Sequence, residues 1–202
     1  DESARRMGVV NTVMVQEDGS LLGACTDGLG FLANLTEQAP GWHPGQGEAV
    51  LVGTGGAARA VAVTLLDAGV PGLRLVNRTL AKAEALAAEL QAMFSGVTVT
   101  PLGWAERAGA LDGAGLLVQS TALGMKGQPP LDLTLDALPV AAPVADLVYT
   151  PLETDILRRA RLRGHPVVDG LGMLLHQAVP GFRHWGGVTP AVDAPTRQVV
   201  EA

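Results

Sequence analysis

The chain has 202 residues, 48% of them apolar and 17% charged, with 26 glycines and 13 prolines. That length suits one large domain or two small ones with a sizeable core, and the glycine content fits an α/β protein with many tight turns. A formal net charge of −6 without a basic run argues against nucleic acid or an anionic membrane as partner. No run of ~18 apolar residues exists to span a bilayer.

A single cysteine, Cys25, excludes an internal disulfide and fits a reducing cytoplasm, where the protein is expected to reside. The sequence starts at Asp1 with neither an initiator Met nor a signal-peptide pattern, and is therefore expected to be the inside of a longer protein.

Val9–Gln16 and Leu21–Thr26 are β-rich runs separated by Glu17-Asp18-Gly19-Ser20, which reads as a hairpin. Asp27 then precedes Leu29, Leu32 and Leu35 at helical spacing, either as the helix N-cap or as a carboxylate offered to a ligand. The breaker-rich stretch Pro40–Gly47 marks a boundary.

Ala49-Val50-Leu51-Val52 is an unbroken apolar strand, and Gly53-Thr54-Gly55-Gly56-Ala57 turns it into a helix that reads from Ala58 to Gly69. Strand, glycine turn and helix make the first half of a dinucleotide-binding unit: glycines admit backbone close to a pyrophosphate, and the helix N-terminus offers unpaired N–H groups. Leu73–Val76 is the next strand, followed by Asn77-Arg78-Thr79 and a strong helix, Leu80–Met93. NAD-binding units carry an acid about twenty residues beyond the glycines for the ribose 2′-hydroxyl, whereas an Arg there accommodates a 2′-phosphate. Here the acid is absent and Arg78 and Lys82 are present, which points to NADP.

Val97–Pro101, Leu116–Val118, Val144–Tyr149 and Pro166–Val168 read as further strands, with helices at Trp104–Leu111 and Glu153–Arg163. The loop Gln119–Met125 follows a strand C-terminus, where open α/β sheets place ligands. Gly170–Trp185 reads as a helix with Leu171, Leu174, Leu175 and Phe182 on its apolar side and a kink at Pro180. The alternation implies a doubly wound, parallel, Rossmann-like sheet. His43, His165, His176 and His184 lie at no metal-ligand spacing, so no metal is expected, and neither Ser120 nor Cys25 stands in a nucleophile motif.

Several stretches together resemble the shikimate dehydrogenase family: Gly8–Thr12, Thr26–Phe31, Gly53–Ala60, Asn77–Thr79, Ser120–Met125, Asp146–Pro151, and Gly170–Leu174 with Gln177. They run in the family's order over nearly the whole chain. The resemblance implies an NADP-dependent oxidoreductase that reversibly reduces 3-dehydroshikimate to shikimate, on the route to chorismate and the aromatic amino acids. It implies a substrate site of Asn11, Asp27, Tyr149 and Gln177, with Asp27 beside a catalytic lysine that the family carries upstream of the residue matching Asp1. It further implies pyrophosphate binding by Gly53, Thr54, Gly55, Gly56 and Ala57, 2′-phosphate binding by Asn77, Arg78, Thr79 and Lys82, and Leu147 and Gly170 beside the nicotinamide.

The family usually has Asn at the positions of Cys25 and Gln119, and Arg at that of Lys82. The corresponding division is residues 1–36 as the end of a smaller α/β substrate domain, 37–169 as the NADP domain, and 170–202 as C-terminal helices returning to the substrate domain. The partners implied are the small-molecule substrate and, for the quaternary state, a monomer or homodimer. By itself this chain is expected to bind NADP but to turn over negligibly. The alternatives are a quinate/shikimate relative using NAD, and a non-catalytic nucleotide-binding module.

Overall fold

A computed structural model describes residues 1–201. The chain begins with a short helix, α1 (Glu2–Met7), that the sequence pattern does not reveal; Asp1 caps it by accepting from the Ala4 N–H, and Gly8 ends it in the left-handed conformation. β1 (Thr12–Val15) and β2 (Leu21–Ala24) pair antiparallel as the expected hairpin. α2 (Asp27–Gln38) follows.

The buried face of α2 differs from the one its leucines suggest. Phe31 and Leu35 are fully buried, whereas Leu29 is 61% exposed. The reason is close helix packing. Gly28 abuts the Thr64 hydroxyl, and a Cβ on Gly30 would lie 2.7 Å from Gln177 Cβ and 2.8 Å from the Met173 carbonyl oxygen, so small residues select the face. Asp27 is the first residue of α2 and not its cap; Thr26 holds the cap position without a side-chain capping bond.

β3 (Ala49–Val52), α3 (Gly56–Asp67), β4 (Gly72–Asn77), α4 (Leu80–Met93), β5 (Thr98–Gly103), β6 (Leu116–Gln119), β7 (Val144–Asp146), α5 (Asp155–Leu162) and β8 (Val167–Val168) form the α/β body. All strands are parallel, in the order β5-β4-β3-β6-β7-β8. This is the doubly wound, Rossmann-like arrangement expected from the alternation. All six strands fall within residues 37–169.

Strands buried on both faces need apolar residues of both parities. In β3, Ala49 and Leu51 join a core shared with α2, α3 and α4, while Val50 and Val52 join a second core with α5. The second face is covered partly by Leu131, Leu133, Leu135 and Leu138, which are buried in a segment without regular secondary structure. The alternation of the first three resembles a strand, yet no sheet partner pairs with them.

Two further expectations need correction. Trp104–Leu111 is not one helix but two 3-10 turns, Trp104–Glu106 and Gly109–Leu111. β7 stops at Asp146, because the Asp146 carboxylate accepts from the Val148 N–H at 3.0 Å and turns the chain out of the ladder.

α6 (Gly170–Gly186) starts from an Asp169 cap and continues through Pro180; Phe182 is 60% exposed and so leaves the apolar face on which the pattern puts it. α7 (Ala194–Glu201) closes the described chain, anchored by an Arg197–Asp169 ion pair at 2.6 Å. The last residue of the expected C-terminal division, Ala202, lies outside the described residues.

Candidate cofactor and substrate site

The C-terminal ends of the strands carry the site. β3 and β6 are neighbours whose following connections leave to opposite faces, and a crevice opens where they part. At that point Gly53 has φ +108, a conformation that disfavours any side chain, and a Cβ there would meet Ser120 Oγ at 2.7 Å. Gly55, by contrast, has open space where its Cβ would be. It is the N-cap of α3, and no side chain caps that helix, so the first-turn N–H groups remain available to an anion.

A cavity of about 300 Å³ gathers Gly53, Thr54, Gly55, Asn77, Arg78, Thr79 and Lys82 with Trp104, Ser120, Thr121 and Leu123. The lining contains two cations and no carboxylate. Arg78 and Lys82 are exposed, and among the described residues neither forms an ion pair or a side-chain hydrogen bond. Most of the other arginines are paired: Arg6, Arg59, Arg74, Arg107, Arg158, Arg159, Arg161, Arg163 and Arg197 all contact carboxylates. Asn77 shapes the turn that presents Arg78, its Nδ2 donating to the Thr79 carbonyl at 2.9 Å.

Gly56 and Ala57 sit in the first turn of α3 and do not line this cavity. Gly53–Gly55 form the part of the glycine turn that lines the cavity, and Gly56 begins the helix.

Gln119 is fully buried beneath the far wall. Its Nε2 donates to the Thr121 and Leu123 carbonyls at 3.1 and 2.7 Å, and its Oε1 accepts from the Thr121 N–H and hydroxyl, both at 2.9 Å. The longer amide thereby satisfies four groups of the loop it carries. Ser120 Oγ donates to the Val52 carbonyl at 2.7 Å, closing the loop onto β3. Leu147 and Gly170 are in contact, since a Cβ on Gly170 would clash with the Leu147 carbonyl, and the Leu147 N–H donates to the Gln119 carbonyl at 2.9 Å. They form a backbone ledge one strand beyond the Ser120–Leu123 loop.

The expected substrate residues come together in part. Asn11 Nδ2 donates to Asp27 Oδ1 at 2.6 Å and to Thr26 Oγ1 at 2.9 Å, while Asn11 Oδ1 accepts from the Thr26 N–H at 3.0 Å. The Thr26 hydroxyl donates to the Gln177 carbonyl at 2.9 Å, which ties α6 to the start of α2. Thr26 is the organiser that the sequence pattern does not single out. Asp27 Oδ2 has no partner among the described residues and stays free to accept. The Gln177 side chain makes no protein hydrogen bond among the described residues, and its backbone is held against Gly30. Tyr149, 47% exposed after β7, touches none of these residues by hydrogen bond. Lys126 is exposed, its backbone N–H bonded to the Thr150 carbonyl at 2.9 Å. Among the described residues no cluster of His, Cys, Asp or Glu could hold a metal ion.

The fold and these motifs recur in known proteins. A family model described as shikimate / quinate 5-dehydrogenase matches residues 37–122. The shikimate dehydrogenase (NADP(+)) of Rhodospirillum rubrum is 56% identical over 199 residues, covering 98% of this chain and 70% of the relative. This chain belongs to the shikimate/quinate dehydrogenase family. The corresponding enzyme of Paramagnetospirillum magneticum is 54% identical over 200 residues, covering 99% of this chain and 71% of that relative.

Among solved structures, the shikimate 5-dehydrogenase of Thermus thermophilus in complex with NADP(H) and shikimate superimposes with a TM-score of 0.78 at 37% identity, over 100% of this chain and 70% of that one. The quinate dehydrogenase of Corynebacterium glutamicum in complex with NAD gives 0.89 at 32% identity, over 99% and 70%. Both cofactors therefore occur on this family fold.

Proposed function

We propose that the chain is an NADP-dependent shikimate dehydrogenase, acting reversibly between 3-dehydroshikimate and shikimate, and that Arg78 and Lys82 set the cofactor choice. The observation that carries the reading is the pairing, in one cavity, of the open glycine turn with two unpaired cations and no carboxylate. A ribose 2′-hydroxyl asks for an acid, and a 2′-phosphate is repelled by one; an Arg fork and an ammonium suit the phosphate.

Bound NADP supplies the hydride chemistry, and the protein supplies binding and orientation. Gly53–Gly55 and the N-terminus of α3 fit a pyrophosphate, because a Cβ at Gly55 would project into open space and backbone N–H groups stand unpartnered there. Asn77 and Thr79 hold Arg78 in place. The Leu147–Gly170 ledge lies two strands beyond the glycine turn, at the side left for a nicotinamide.

For the substrate, Asn11 fixes one oxygen of Asp27 and leaves the other to accept a hydrogen bond from a substrate hydroxyl. Gln177, its backbone anchored through Thr26, and exposed Tyr149 offer further donors to a polyhydroxylated acid. Such a substrate requires several fixed polar groups, since reactivity at one carbon depends on alignment. Proton transfer accompanying the hydride is assigned by the resemblance to the lysine that the family carries upstream of the residue matching Asp1, with Asp27 Oδ2, unpartnered among the described residues, as the oxygen offered to it.

The decisive comparison, on a chain extended to the full length of the relatives, is oxidation of shikimate with NADP against quinate with NAD, monitored as reduced-nicotinamide absorbance. The expected outcome is preference for shikimate and NADP; an equal or faster rate with quinate and NAD overturns it.

A further inference from the structure

The cavity lining contains one aromatic residue, and phosphate binding leaves it without a role. Trp104 follows β5, and the β4–β5 register sets Asn77 beside Gly103, so Arg78 and Trp104 are the next residues of adjacent strands at the same edge. Trp104 lines the cavity and is half-buried, packed against the second core.

Its ring is held. The Arg107 guanidinium carbon lies over the ring at 5.2 Å from the centroid, and Arg107 Nη1 donates to the Trp104 carbonyl at 2.9 Å. Arg107 is fastened in turn by its Nε to the Asp132 carbonyl and by its Nη2 to the Asp132 carboxylate, both at 2.6 Å. A flat, pre-organised aromatic surface in a cavity lined mainly by polar residues and glycines suits a flat heteroaromatic ring, because base–aromatic stacking needs rigidity and no hydrogen-bond code.

The order of groups along the sheet edge selects which ring. From outside inward, β5 carries Trp104, β4 carries Arg78, β3 carries Gly53, β6 carries Ser120 and β7 carries Leu147. With NADP in the crevice, that order is base platform, 2′-phosphate, pyrophosphate and nicotinamide ledge. We propose that Trp104, braced by Arg107, is the stacking platform for the adenine of the dinucleotide. The proposal rests on the NADP reading and adds to it a residue that distinguishes the adenosine end from phosphate binding alone.

The test uses adenosine 2′,5′-bisphosphate as a probe carrying the base and 2′-phosphate, and inorganic pyrophosphate as a probe without a base. In a Trp42→Phe, Trp185→Phe background Trp104 is the sole indole emitter. Its fluorescence is expected to be quenched by the adenosine probe and unchanged by pyrophosphate. Trp104→Ala is expected to weaken the adenosine probe about tenfold, and Trp104→Phe to recover most of that loss, with pyrophosphate affinity unchanged throughout. Equal affinity of wild type and Trp104→Ala for the adenosine probe, with no quenching, overturns the platform and leaves the NADP reading standing. Failure of the wild-type protein to bind the adenosine probe overturns both. Should Trp104→Ala not fold, quenching and the Trp104→Phe affinity decide.

Discussion

Arg78 and Lys82 stand in the proposed cofactor cavity with no acidic partner among the described residues, so neither has to break an ion pair to meet a phosphate. A charge-assisted bidentate contact contributes about 1.5–3 kcal/mol. Arg78→Ala is therefore expected to weaken NADP by roughly ten- to a hundredfold and to leave NAD nearly unchanged, with Lys82→Ala adding a smaller loss. Dissociation constants of both cofactors on the single and double variants check this; equal losses for the two would remove Arg78 from the 2′-phosphate site. Gly53 presents a different constraint. At φ +108 and with Ser120 Oγ 2.7 Å from its missing Cβ, Gly53→Ala is expected to cost about 1–3 kcal/mol, read as a lower thermal midpoint, and to weaken cofactor binding by shifting the Ser120–Leu123 loop.

Between elements, the proposed substrate residues depend on how closely α2 is gripped. α3 reaches it at Gly28 and α6 at Gly30, and the Thr26 hydroxyl joins the start of α2 to Gln177 of α6. Gly30→Ala places a methyl group against the Met173 carbonyl and Gln177 backbone, which cannot rotate away. The expected cost is about 1–3 kcal/mol in a urea titration, with an unchanged NADP dissociation constant and, in a chain extended to the full length of the relatives, a raised KM for shikimate, because Gln177 moves and the glycine turn does not. A stability loss without the KM change would detach Gln177 from the substrate. Here the sequence is a partial guide. Its leucines at 29, 32 and 35 mark a helix correctly, but only the neighbouring helices reveal that Phe31 and the glycines turn inward.

For the whole molecule, the sheet brings a buried acid into the frame that supports the site. Asp146, 1% exposed, accepts from the Thr154 hydroxyl at 2.6 Å and from the Val148 N–H, and so ties β7 to the start of α5. Burial, opposed by these two hydrogen bonds, pushes its pKa up to about 6. The folded state then holds a proton on Asp146 that the unfolded chain releases above its ordinary value of 3.8. Its stabilising contribution is full below that value and is lost as pH rises through about 6. A shift of this size corresponds to about 3 kcal/mol at most. Asp146→Asn is expected to be less stable at every pH, having lost an acceptor, but to lack the component of stability that falls between about pH 4 and 6. Urea midpoints of both proteins at about pH 5 and about pH 7.5 measure it; identical pH slopes would show that Asp146 does not titrate in this window.

The sequence alone determined the parallel α/β class, the glycine turn, the Leu80–Met93 helix and the cationic place of Arg78, because these follow from local signals: apolar runs, breakers, helix propensity and a charge at a fixed offset. It also held the family resemblance, whose motifs lie in order along the chain. The tertiary structure alone decided that Leu131–Leu138 covers a sheet face, that Phe182 faces outward, and that Trp104 stands beside Arg78. Those facts depend on strand register and on which helix lies against which, and residues as far apart in sequence as Arg78 and Trp104 become neighbours only when β4 and β5 pair. Local chemistry is written in order along a chain, whereas a cavity is assembled from strand ends whose adjacency is set by the burial of the whole sheet.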